Sequence, residues 1–164
     1  MGKTQDNLQE AFAGESQANR KYLAFAKKAL DEGFAQVAKL FMAAAEAETV
    51  HAHNHLRAMD GVKETIANLQ AAIAGETYEF TSMYPAMLDT AAKEGQTEAK
   101  ISFRFANEVE KIHAALYKKA LDNLGKNETT DYYVCQVCGN TVEGSAPDEC
   151  EICGATKDKF KKVD

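Results

Sequence analysis

Two tetrapeptides, Glu48-Thr49-Val50-His51 and Glu110-Lys111-Ile112-His113, constrain this chain more than any other feature. A glutamate and a histidine three residues apart on a helix project from the same face. One such pair is common on solvated helices. Two are a different matter when the segment before each carries an inward glutamate, Glu15 and Glu79. The first segment is predicted helical over 4–31, where Leu8, Phe12, Tyr22, Phe25 and Ala29 keep a three-to-four spacing with Glu15 on their stripe. A buried carboxylate without a partner is costly, so Glu15 calls for a cation or a proton. The alternative is a stripe rotated by one position, with Glu15 in water.

Residues 34–60 read as a second helix, with Val37, Leu40, Ala44, Glu48, His51 and His55 along one side. His55, one turn beyond His51, is either a further ligand or an ordinary hydrogen-bonded histidine, and His53 points to solvent. Residues 61–76 read as a crossover containing Gly61, a short helix near Ile66–Ile73, and Gly75. A third helix is expected over 77–94, with Glu79 inward and a kink at Pro85. A fourth is expected over 97–124, carrying Glu110 and His113.

The spacing of these residues is regular. Glu15 lies 18 residues before Gly33, and Glu48 and His51 lie 15 and 18 after it. Glu79 lies 16 residues before Gly95, and Glu110 and His113 lie 15 and 18 after it. At about 1.5 Å of rise per residue, each set is level across an antiparallel hairpin. The two hairpins therefore repeat each other. Glutamates on two helices and Glu-x-x-His on the other two make up the ligand set of ferritin-like di-iron carboxylate bundles. Four carboxylates balance two divalent cations, and oxygen-rich sites with imidazole suit iron or manganese. The expected fold is an all-α four-helix bundle over residues 1–126, ferritin-like with one long crossover.

After a polar linker come Cys135-Gln136-Val137-Cys138-Gly139 and Cys150-Glu151-Ile152-Cys153-Gly154. Each is a tight knuckle, and four thiolates make a tetrahedral metal site. About 33 residues hold too little core to fold alone, so the metal is expected to fold residues 131–164. The same spacing serves a structural zinc ribbon. A redox di-metal site in the same chain favours iron, and recombinant material is expected to carry either iron or zinc.

The net charge of −6 argues against a nucleic-acid partner. No apolar run approaches the length of a membrane span, and the first residues carry no secretory signal pattern. The expected location is the cytoplasm, where thiols stay reduced and clustered cysteines bind metal.

The segments Ala11-Phe12-Ala13-Gly14-Glu15-Ser16, Glu48-x-x-His51, Gly75-Glu76-Thr77-Tyr78-Glu79, Met83-Tyr84-Pro85, Glu110-x-x-His113 and the paired Cys-x-x-Cys-Gly resemble those of rubrerythrins. The resemblance covers almost the whole chain. It implies a non-haem di-iron peroxidase followed by a rubredoxin-like domain. Two irons would be held by Glu15, Glu48, His51, Glu79, Glu110 and His113, and one iron by Cys135, Cys138, Cys150 and Cys153. It further implies reduction of hydrogen peroxide to water, protecting against oxidative stress, with electrons from NAD(P)H through a rubredoxin or flavin reductase. A homodimer is implied, with helix exchange between subunits in some members.

Two departures follow from that alignment. Family members carry a further glutamate three residues after the position assigned to Glu79, where this chain has Ser82. In the family that carboxylate binds the oxidised centre and the histidine matching His51 replaces it on reduction, so reduced iron movement is expected here. Tyr22 is either a site tyrosine or core, and the second site tyrosine aligns with Met87. A ferroxidase or oxygen-reducing activity, or a non-catalytic iron-binding or redox-sensing role, would use the same ligands.

Overall fold

The computed structural model describes residues 2–164. The chain forms two compact units, Met1–Lys63 and Glu64–Asp164. The first is a helical hairpin of α1 (Lys3–Asp31) and α2 (Ala35–Ala58). Its seam is made of small residues. Asn19, Ala26 and Ala29 of α1 and Ala38, Ala45 and Ala52 of α2 are its buried positions. The alanines of α2 recur every seven residues, so one narrow stripe faces α1 along its whole length. Alanine methyl groups fill this seam apart from Asn19. The Asn19 side-chain amide donates both to the Ala45 carbonyl (2.6 Å) and to Thr49 Oγ1 (2.8 Å). That clamp lies one turn beyond Glu15 and one turn from Glu48.

The second unit begins with α3 (Thr65–Tyr78), which runs through a π-helical turn, Glu79–Met83, into α4 (Tyr84–Lys93). Helix therefore starts at Thr65 and passes straight through Gly75, where the sequence suggested a break between a short crossover helix and a third helix. Packing on α5 (Thr97–Asp122) overrides the roughly 1 kcal/mol that a mid-helix glycine costs. Pro85 causes the other irregularity. It has no N–H to give to the carbonyl four residues back, and the chain widens into a π turn just before it, so that Pro85 falls in the first turn of α4.

The two hairpin turns are alike. Gly33 (φ 84°) is followed by a Phe34 N–H to Ala29 carbonyl bond of 2.8 Å, and Gly95 (φ 68°) by a Gln96 N–H to Ala91 carbonyl bond of 2.9 Å. Both are the six-residue closure of a glycine C-cap, which only a residue free to adopt positive φ makes cheaply.

After α5 the chain forms a three-stranded antiparallel sheet in the order β2-β1-β3, with β1 Tyr132–Cys135, β2 Thr141–Glu143 and β3 Phe160–Lys162. Val134 pairs with Thr141 on one side and Lys161 on the other. Among the described residues no helix is long and apolar enough to cross a membrane. Helices followed by a small cysteine-bearing sheet are the elements of a ferritin-like bundle with a rubredoxin-like module.

Replacing Asn19 by Ala removes two interhelical hydrogen bonds and leaves the Ala45 carbonyl with less to accept. The expected loss is about 1–3 kcal/mol in chemical denaturation, together with weaker metal binding at the Glu15 end of the hairpin. An unchanged midpoint would show that the alanine seam alone sets the helix spacing.

Candidate metal centres

Within the first unit, Glu15, Glu48 and His51 bring one ligand atom each to within 4.8 Å of one another. His51 Nδ1 stands 2.8 Å from Glu48 Oε2. Both glutamates are half-buried and His51 is exposed. Tyr22 lies on the same hairpin, its ring against Phe25 and Phe41 at centroid distances of 6.4 and 6.1 Å. His55 is half-buried and His53 exposed, and neither joins the trio.

Within the second unit the corresponding trio is Glu76, Glu110 and His113. His113 Nδ1 is 2.8 Å from Glu110 Oε2 and 3.7 Å from Glu76 Oε1. Of the sequence candidates, Glu110 and His113 meet as expected. Glu79 is half-buried nearby but is not the glutamate that completes this trio. Glu76, which sequence reasoning passed over, takes that place. The cue was present: Glu76 lies 19 residues before Gly95, close to the 18 that separate Glu15 from Gly33. A π turn inserts about one residue into a helix, which absorbs the difference. Reading Gly75 as a helix break placed Glu76 outside the third helix and hid the match.

The electrostatics of the second trio agree with crowding of like charges. Burial, and then the neighbouring Glu110, raise the Glu76 carboxyl above its ordinary value, and His113 opposes the rise only in part. Burial, and then Glu76, do the same to Glu79. The phenol of Tyr84 is raised by burial and then by Glu110, Glu79 and Glu76. Tyr84 therefore feels all three carboxylates. Met87, where the resemblance put the second site tyrosine, is exposed. Carboxylate oxygens and an imidazole nitrogen converging from α3 and α5 offer electron pairs to a common point. A hard-to-intermediate cation fits that set.

The third cluster is closed. Cys135 and Cys150 are buried, Cys138 and Cys153 half-buried, and all four Sγ lie within 4.8 Å of one another. Cys135 and Cys153 are 3.7 Å apart, and Cys138 and Cys150 3.6 Å. A tetrahedron with arms of about 2.3 Å has edges of about 3.8 Å, so the sulfurs already stand where a metal would hold them. The knuckles are twins. The N–H of Gly139 (φ 87°) donates to the Cys135 carbonyl and that of Gly154 (φ 73°) to the Cys150 carbonyl, each at 2.8 Å. Burial pushes the Cys150 thiol up, but the backbone N–H groups of Cys153 and Ile152 and the amide of buried Asn140, 3.6 Å from Sγ, bring it down to about 7. Burial raises Cys138. The cage thus favours charge at Cys150 over Cys138.

A family model described as Rubrerythrin matches residues 6–121, and one described as Rubrerythrin, rubredoxin-like domain, matches residues 133–161. The chain belongs to the rubrerythrin family. It is 37% identical to Rubrerythrin-2 of Clostridium acetobutylicum over 96% of this chain and 95% of that protein. It is 34% identical to Nigerythrin of Nitratidesulfovibrio vulgaris over 98% of this chain and 86% of that protein. Among solved structures, a partially reduced state of nigerythrin aligns over 99% of this chain and 88% of that one, with a TM-score of 0.61 and 32% identity. Rubrerythrins are oxidoreductases with a di-iron site and a rubredoxin-like iron site held by four cysteines. The donor sets found here fit both kinds of centre.

A carboxyl raised in the folded state binds its proton more tightly there than when unfolded. The stability it contributes is present at low pH and is lost as pH rises through the folded value. With zinc in the four-cysteine site and the trio free of metal, lowering the pH from about 7 to about 5 should raise the melting temperature. Glu76→Gln should raise it at neutral pH, flatten its pH dependence and weaken metal binding at this trio. A fall in melting temperature for the metal-free variant would contradict the crowding.

Proposed function

We propose that the chain reduces hydrogen peroxide to water at a di-iron centre, with electrons entering through the thiolate-bound iron. The observation that carries the reading is the coexistence in one rubrerythrin chain of two Glu-Glu-His trios and a preformed four-cysteine cage. Each unit offers two carboxylates and one imidazole to iron: Glu15, Glu48 and His51 in the first, Glu76, Glu110 and His113 in the second. Iron held by such groups would supply the electrons needed to reduce the peroxide O–O bond. The balance is one peroxide, two electrons and two protons to two waters.

The remaining residues have roles suited to that chemistry. Glu79, three residues beyond Glu76, becomes the further carboxylate that the family carries, so Ser82 is no departure at all. On that reading the expected reduction in iron movement lapses. Burial and the neighbouring Glu110, Glu79 and Glu76 favour the protonated phenol of Tyr84. Tyr22, with its ring among Phe25 and Phe41, shields the other trio from water. The functional division is 1–126 for peroxide chemistry and 131–164 for electron entry, working as a homodimer in the reducing cytoplasm with an NAD(P)H-dependent reductase.

The decisive assay is anaerobic NADH oxidation by iron-loaded protein with a rubredoxin-type reductase. Saturable, peroxide-dependent turnover is expected. Turnover with oxygen alone would replace the peroxidase by an oxidase, and no turnover with either would leave a metal-binding role. Cys138→Ser should abolish the NADH-coupled rate while the bundle retains its iron. A retained rate would exclude the thiolate-bound iron as the conduit.

A further inference from the structure

The sheet of the second unit meets α5 at a point that the metal chemistry alone does not require. His113 has its Nδ1 turned to Glu110 and Glu76, and its Nε2 lies 3.0 Å from Oγ1 of Thr141. Thr141 is the first residue of β2. Its Oγ1 is also 3.2 Å from the carbonyl of Gly139, to which it donates. Gly139 is the knuckle glycine after Cys138, and a Cβ placed on it would lie 3.8 Å from Val109 Cγ1 of α5. Two residues along β2, Glu143 pairs with Lys119 of α5 at 2.6 Å. Strand β2 is thus seated along α5 with Thr141 over His113.

A threonine hydroxyl has one hydrogen. Once that hydrogen is given to the Gly139 carbonyl, Oγ1 can only accept from His113, and the ring proton must be on Nε2. Nδ1 then keeps its lone pair for a cation that would sit between it and the Glu110 and Glu76 oxygens, as a metal ligand requires. We propose that Thr141 is a positioning residue for His113: the four-cysteine module fixes the orientation and tautomer of a ligand of the other metal centre. This rests on the reading of His113 as a ligand. It adds that the four-cysteine module is needed to build the neighbouring site as well as to feed it. A direct chain of contacts then joins the two, from Cys138 through Gly139 and the Thr141 hydroxyl to the imidazole.

The test uses the full-length chain, isotopically labelled at histidine and titrated with zinc, which is diamagnetic and fills the thiolate site first. In the wild type, further zinc should shift the His113 nitrogens to the pattern of an Nδ1-bound ring, with a slowly exchanging Nε2–H. Thr141→Val should speed the exchange of that proton and lower zinc affinity at the trio by roughly tenfold or more. Thr141→Ser, which keeps the hydroxyl, should restore both. The inference is overturned if Thr141→Val leaves exchange and affinity unchanged, or if Thr141→Ser is as impaired as Thr141→Val. Should the wild-type His113 nitrogens not respond to zinc at all, the assignment of His113 as a ligand fails, and this inference with it. That result differs from a ring that binds equally well without Thr141.

Discussion

Mutual repulsion of carboxylates is the constraint on which this structure depends. Glu76 and Glu110 face each other across α3 and α5, half out of water, with Glu79 and the Tyr84 phenol close by. Nothing in a two-helix contact rewards such an arrangement. It persists because the apolar stripes and glycine caps of the helices hold the side chains in place whatever their charge. A bound cation then converts the repulsion into attraction. The fold stores an unfavourable arrangement that only metal relieves, and selectivity for multivalent ions follows from that.

The thiolate cage solves the same problem in another way. At Cys150, backbone N–H groups and the Asn140 amide favour the thiolate, while burial opposes charge at Cys138 and Cys153. In the carboxylate trios the glutamates instead face one another and an imidazole. The sulfur cage is also small and closed, whereas each trio is open within its own unit. A closed site suits an ion that changes only its charge. An open one suits ions that must meet a small molecule.

Much of this was legible in the sequence, for identifiable reasons. The hairpins were readable because their glycine caps and three-to-four periodicity are local signals. The paired knuckles were readable because metal ligation by closely spaced cysteines tolerates little variation. Glu15, Glu48, His51, Glu110 and His113 could be placed on helix faces by counting from the caps. Glu76 and Tyr84 could not, because Gly75 and Pro85 both imitate helix ends. The glycine is overridden by packing of α3 on α5, and the proline is accommodated by a π turn, neither of which a local pattern reports. The Thr141 contact was out of reach for a different reason. It joins residues 28 apart that belong to segments of different periodicity.

The π turn at Glu79–Met83 also separates two faces of one continuous rod. A straight helix advances about 100° per residue, so whatever azimuth its first half adopts dictates the second. The extra residue decouples them. Glu76 can keep its bearing toward α5 while Tyr84, beyond the bulge, is re-aimed at the same carboxylates. Loss of a single amino acid there would leave the hydrophobic content of the rod almost untouched, yet turn the phenol through more than a quarter of a circle and out of their company.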